Sequence, residues 1–140
     1  MQTTTNKRNE ILYNGLTVAG FGALGAVARY GTGLLGKTIS LSFPWGTWMV
    51  NMLGCFLLGY LIERWVPLSN IGQRLKLGLT TGFIGSFTTF SAFSVEGVAY
   101  LQSNSYFLFS IHLLANVLGG YMLASFGVML ANRDKAVSEQ

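Results

Sequence analysis

The chain has 140 residues, 51% of them hydrophobic and 10% charged, with a net charge of +4. That is about half or less of the charged share of an ordinary soluble domain, too little polar surface to coat a soluble globule. The positive balance does not point to nucleic acid, because the nine Lys and Arg lie almost wholly at segment ends and form no basic stripe along a helix. Eighteen glycines against two prolines fit close helix packing in a bilayer. The single cysteine, Cys55, lies inside an apolar run, has no partner for a disulfide or a metal site, and reads as a small buried hydrophobe.

The start, Met1 to Glu10, is polar and lacks a hydrophobic core followed by a small-residue cleavage site, so no removable signal peptide is expected. A helix needs roughly 20 apolar residues to cross the hydrocarbon core. Four stretches reach or approach that length, over about 11–35, 46–62, 75–101 and 106–131. They predict an all-α membrane protein with four transmembrane helices in a single domain covering the chain.

Polar connections separate the spans: Lys37 with Ser40 and Ser42, then Arg64, Pro67, Asn70 and Arg74, then Gln102 to Ser105. Trp45, Trp48 and Trp65 flank the second span, where amphipathic rings favour the headgroup region. Small residues recur every four positions at Gly15, Ala19 and Ala23, at Gly78 and Gly82, and at Ala115 and Gly119. Such stripes serve either packing within the chain or a subunit interface.

The third span is unusual in carrying Gly82, Gly85, Ser86, Thr88, Thr89, Ser91 and Ser94 at mid-membrane depth. That composition predicts a helix broken near its middle. Freed backbone groups there must be buried in protein, line water or coordinate an ion, so a discontinuous helix is a functional pointer.

The string Thr89, Phe90, Ser91, Ala92, Phe93, Ser94, Val95, Glu96 is similar to the TFSTFS pattern of the Fluc-type (CrcB) fluoride channels. The agreement continues in Gly46, Thr47, Val50 and Asn51 of the second span and in Arg29 of the first, and it covers nearly the whole chain. The resemblance implies an antiparallel dimer with two narrow pores, exporting cytoplasmic fluoride by passive electrodiffusion and giving fluoride resistance without nucleotide or cofactor. It further implies that Phe90 and Phe93 form the aromatic box, that Asn51 donates to fluoride, and that Gly85 and Thr88 offer backbone carbonyls to a structural sodium ion at the dimer interface. The expected location is the plasma membrane, as a multi-pass protein.

Elementary chemistry makes such a pore reasonable. A phenyl ring is positive at its edge, so two edges can approach a small dehydrated anion. A strongly hydrated anion in a dry pore also needs donors, which Asn51, Thr89, Ser91 and Asn116 can supply. Arg29 either shapes an electropositive entrance or snorkels to the interface. Glu96 is an intramembrane acid that either hydrogen-bonds to hold the helix break or couples to protons, and His112 reads as a satisfied polar contact. No Ser-His-Asp set, paired carboxylates, phosphate-binding glycine loop or metal-ligand spacing is present, so an enzyme is not expected.

Two departures from the family pattern matter. Ala92 stands where the family usually shows Thr, removing one hydroxyl for which Asn116 is the candidate replacement. With four spans, Lys7, Arg8, Arg64, Arg74, Lys76, Arg133 and Lys135 share one side against Lys37 and Arg29 on the other. That bias predicts cytoplasmic termini, whereas a dual-topology homodimer should have nearly balanced loops. The partner is thus either a second copy or a related chain inserted the other way. Two further readings stay open: an accessory, non-conducting subunit, and a proton-coupled multidrug exporter, although the first span has no acid between residues 11 and 35.

Overall fold

A computed structural model describes residues 2–39, 43–65 and 69–138, and nearly all of them are helical. The elements in chain order are α1 (Gln2–Ile39), α2 (Trp45–Arg64), α3 (Asn70–Leu77), a π-helical segment (Gly78–Ile84), α4 (Gly85–Phe87), α5 (Phe90–Gln102) and α6 (Tyr106–Ser138). Ser40, Ser42 and Pro67 lie outside the described residues.

Among the described residues, three helices are long and apolar enough to cross a membrane, within Lys7–Ile39, Trp45–Arg64 and Tyr106–Val137. Each helix continues past the apolar stretch read from the sequence. Residues 2–10 contain neither Gly nor Pro to stop α1, and Lys37 in its last turn complements the helix dipole. At the far end of α6, Lys135 Nζ reaches Glu63 Oε1 at 2.6 Å and the Tyr60 hydroxyl donates to Asp134 at 2.9 Å. These contacts fasten its polar last turns to α2.

The third apolar stretch is instead divided among α3, the π-helical segment, α4 and α5. Asn70 and Arg74, expected in a loop, are helical in α3, because Ser69 caps it by accepting the Gly72 N–H at 3.1 Å. Thr88 and Thr89 interrupt the run with extended backbone (ψ 158° and 117°), after which α5 begins.

Backbones approach closely where side chains are absent. A Cβ on Gly59 would strike the Ala124 carbonyl, and one on Gly127 would strike the Phe56 carbonyl, so α2 and α6 cross almost backbone to backbone. Of the small-residue stripes, Gly78 and Gly82 pack within the chain: added Cβ atoms would lie 2.6 Å from the Phe21 ring and 2.8 Å from the Val18 carbonyl. Gly119 does likewise against Met52, whereas nothing lies within 4 Å of Gly15.

The apolar side chains point mostly outward. Val50, Met52, Ile84, Phe87 and Ala131 are buried, but Leu24, Val27, Leu53, Leu114, Leu118 and Met122 are exposed. Such a surface is stable only against lipid. In keeping with that, Thr17, Thr32, Thr80 and Ser110 each return their hydroxyl to the carbonyl four residues earlier, which satisfies a donor where water is absent.

Basic residues gather at one end of the bundle. The Arg74 guanidinium sits 4.9 Å from the Tyr13 ring centroid, a cation–π distance. Lys76 Nζ donates to the Trp65 and Ile62 carbonyls at 2.6 and 3.1 Å, beside the Glu63–Lys135 pair. Lys37 lies about 36 Å further along α1 from Tyr13, at 1.5 Å per residue.

Candidate functional site

The break between α4 and α5 is held from α2. Asn51 Oδ1 accepts the Thr89 N–H at 2.8 Å, and Asn51 Nδ2 donates to the Thr89 carbonyl at 3.2 Å and to Asn116 Oδ1, also at 3.2 Å. A side-chain amide thus pairs with the extended residue much as a neighbouring strand would. Asn116 donates in turn to the His112 carbonyl at 2.9 Å, which fixes its orientation on α6.

The same bonds release two carbonyls. In an unbroken helix the Thr89 N–H would close on the Gly85 carbonyl, but it is directed to Asn51. The Ala92 N–H would close on Thr88, but it donates to the Thr89 hydroxyl at 3.1 Å, an N-cap. Gly85 and Thr88 are therefore among the carbonyls whose helical donors the break has taken away, the right chemistry for a small hard cation. Gly85 is exposed, and only the Thr80 carbonyl, at 3.9 Å, lies near where its Cβ would stand.

Asn51, Thr89, Phe90, Phe93 and Asn116 line a single cavity of about 360 Å³, together with Gly85 and Thr88. The Phe90 and Phe93 rings lie 5.7 Å apart, inclined at 41°. Phe90, the first residue of α5, is 79% exposed. Cys55 also lines this cavity. Its proximity to Asn51 follows from one helical turn of spacing, which the sequence already displayed.

Ser91 and Arg29 belong to a second cavity, of about 440 Å³, that shares Thr89 with the first. The Ser91 and Thr89 hydroxyls are 3.2 Å apart, whereas Ser94 donates to the Phe90 carbonyl at 2.9 Å. Ala92 lines the same cavity, and Asn116 does not border it, its amide being engaged with Asn51 and the His112 carbonyl.

Glu96 lines a third cavity, of about 540 Å³, with Thr47, Tyr30, Lys37 and Trp45. Thr47 also borders the second cavity, so the three follow one another along the α2–α5 face. Thr47 Oγ1 donates to Glu96 Oε1 at 2.6 Å. Glu96 therefore ties α5 to α2, and the residue that holds the helix break is Asn51.

Sequence reasoning took His112 for a satisfied polar contact and placed it outside the candidate site. It is fully buried, its Nε2 lies 3.1 Å from the Phe93 carbonyl and 3.8 Å from Glu96 Oε2, and its Nδ1 has no hydrogen-bond partner. Its four-residue spacing to Asn116 was the available signal.

This arrangement of a broken helix, an amide clamp from α2 and two aromatic rings coincides with a match to known proteins. The family model described as CrcB-like protein, Camphor Resistance (CrcB), matches residues 16–128. The chain belongs to the CrcB family. Among relatives, it is 45% identical over 118 residues to the fluoride-specific ion channel FluC of Dehalococcoides mccartyi, covering 84% of this chain and 91% of that one. It is 43% identical over 119 residues to FluC 2 of Listeria monocytogenes, covering 84% and 90%. It is 46% identical over 105 residues to FluC of Geobacter sulfurreducens, covering 73% and 83%. The CrcB match spans parts of all three long apolar helices, and the chain is a multi-pass membrane protein.

Proposed function

We propose that this chain is a pore-forming subunit of a fluoride-selective channel in the plasma membrane, working as an antiparallel dimer with two narrow pores. The observation that carries the reading is the cavity where Phe90 and Phe93 meet Asn51, Thr89 and Asn116 beside a helix break. Kinship with proteins named fluoride-specific ion channel supports it. In this reading α3 through α5 make the third of four crossings, and the exposed Phe90 ring completes a pore with the partner subunit.

Fluoride would leave the cytoplasm down its electrochemical gradient. Arg29 raises the local anion concentration at one mouth. Thr89 and Ser91 hydroxyls replace hydration water, and the ring edges of Phe90 and Phe93 receive the dehydrated ion. Both Asn51 amide hydrogens are already directed at acceptors, so donation to fluoride exchanges one of those bonds for a charge-assisted one, which is stronger. A structural sodium ion, bound by Gly85 and Thr88 carbonyls of two subunits, would neutralise their partial charges and cross-link the dimer centre.

Purified chain reconstituted alone in liposomes, with fluoride and chloride efflux followed by ion-selective electrodes, tests this. Fast fluoride-only efflux is the expected result. Efflux of both anions, or chloride alone, would contradict selectivity.

The clustering of Arg74, Lys76 and Lys135 at one end favours a second reading of the assembly. Such a bias fixes orientation by the positive-inside rule, with termini in the cytoplasm, and the antiparallel partner is then a related chain. A terminal tag labelled from each side of intact cells decides it: labelling from both sides in comparable amounts means a homodimer.

A further inference from the structure

We infer that His112 and Glu96 form a proton-binding pair that couples fluoride passage to pH, an inference that rests on the channel reading above. The pair spans the wall between the aromatic cavity, to which His112 connects through Phe93, and the 540 Å³ cavity that Glu96 lines.

The geometry of the imidazole is specific. Among the described residues its Nε2 faces two acceptors and no donor: the Phe93 carbonyl at 3.1 Å and Glu96 Oε2 at 3.8 Å. Nε2 therefore carries the hydrogen, which leaves Nδ1 as a bare acceptor, buried and without a partner. Nδ1 is the one ring position open to a further proton, and because burial opposes the charge it would bring, that proton depends on a counter-charge beside the ring. Glu96 Oε2, also buried and without a hydrogen bond, faces the ring and balances that proton's charge.

The other groups around the ring leave this electrostatic balance to Glu96. From α5, Phe93 stacks on it at 4.8 Å and 27°, and Tyr100 meets it edge-on at 5.8 Å. Phe43 approaches from the residues before α2 at 6.2 Å. From α2 comes Thr47, which is uncharged and occupies Glu96 Oε1. Among the described residues, the titratable groups facing the pair are thus Tyr100 and, across the cavity, Lys37 and Tyr30.

Two consequences follow from protonation. A neutral imidazole leaves the Glu96 carboxylate as a net negative charge at the inner end of the 540 Å³ cavity, where it repels an anion. An imidazolium cancels that charge. It also lies within cation–π distance of the Phe93 ring face, and by drawing ring electrons toward itself it makes the opposite edge more positive, where an anion would dock. Both effects act in one direction, so fluoride flux rises as pH falls.

His112 is the sole histidine in the chain, which makes the test direct. Tag-free channel, in its conducting assembly, is reconstituted, and fluoride efflux is measured at equal internal and external pH between about pH 8 and about pH 5.5, the range in which histidine titrates. Protein-free vesicles correct for leak of uncharged hydrogen fluoride. Flux through the unmodified channel is expected to rise at least about fivefold on acidification, the low end of ordinary coupling. His112→Gln should lose this rise and stay near the high-pH rate, and Glu96→Gln should be fast at high pH. Imidazole NMR of the unmodified protein, where the one histidine gives one set of signals, reads the same coupling without a variant. The coupling acts on fluoride binding beside the pair, so by reciprocity of binding free energies fluoride should make the ring harder to deprotonate. Robust flux that is flat with pH, or an imidazole indifferent to fluoride, overturns the coupling and leaves the channel reading intact. No fluoride flux at any pH overturns both.

Discussion

Asn51 grips Thr89 by both of its backbone groups, accepting its N–H at 2.8 Å and donating to its carbonyl at 3.2 Å. The helix break therefore depends on one side chain from another helix. Asn51→Ala leaves a nearly buried N–H and carbonyl unmatched, at about 1–3 kcal/mol for each such group. Thermal unfolding in detergent should show a clear drop. Asn51→Asp keeps the acceptor for the Thr89 N–H but loses both donors and adds a negative charge. It should preserve more of the fold while cutting fluoride efflux by roughly tenfold or more, since each 1.4 kcal/mol is a factor of ten.

Phe90 and Phe93 separate by exposure. Phe90 is 79% exposed, and replacing it by Ile removes nothing from the chain's own core. Folding and stability of Phe90→Ile should match the unmodified chain, with flux reduced at least about tenfold if ring edges receive the ion. Phe93→Ile also removes the ring stacked on His112, so both flux and melting temperature should fall. Paired efflux and melting measurements distinguish a pore role from a scaffold role, because a scaffold variant would lose assembly instead of flux.

Gly85 has room for a methyl group, the Thr80 carbonyl lying 3.9 Å from where its Cβ would stand. Gly85→Ala should fold as a chain. A loss of dimer or of flux in that variant, measured by cross-linking and by efflux, would place the obstruction on the partner subunit or the cation. Replacing sodium by a large organic cation throughout purification should weaken the dimer in the same assay, whereas an unchanged dimer would remove the ion from the proposal.

At Gly127 the opposite holds, because its Cβ position coincides with the Phe56 carbonyl and lies 2.8 Å from the Tyr60 nitrogen. Gly127→Val would force α2 and α6 apart along their whole crossing. Little folded protein should be recovered from membranes, while Gly15→Val, where nothing lies within 4 Å, should express normally as a monomeric unit.

The Glu63–Lys135 pair is partly exposed, with about a third of each side chain accessible. Ion pairs of this kind contribute about 0–1 kcal/mol, so Glu63→Gln should shift the melting temperature only slightly.

Much of this protein was determined by local composition. Long apolar runs demand lipid whatever they pack against, and clustered Gly, Ser and Thr in the third run weaken a helix wherever it lies. The Thr89 to Glu96 string, with Arg29 and the Gly46 to Asn51 stretch, carried the family resemblance on residue identity alone. Tertiary structure decided which polar groups are spent and which are free. Asn51 meets Thr89 and Asn116 across 38 and 65 positions of chain, and Thr47 meets Glu96 across 49. No periodicity within one helix encodes such pairings, because they depend on how closely glycine-lined helices cross. For the same reason the sequence left Glu96 open between supporting the break and coupling to protons, and it held no sign that helix crossing sets His112 Nε2 3.8 Å from Glu96 Oε2.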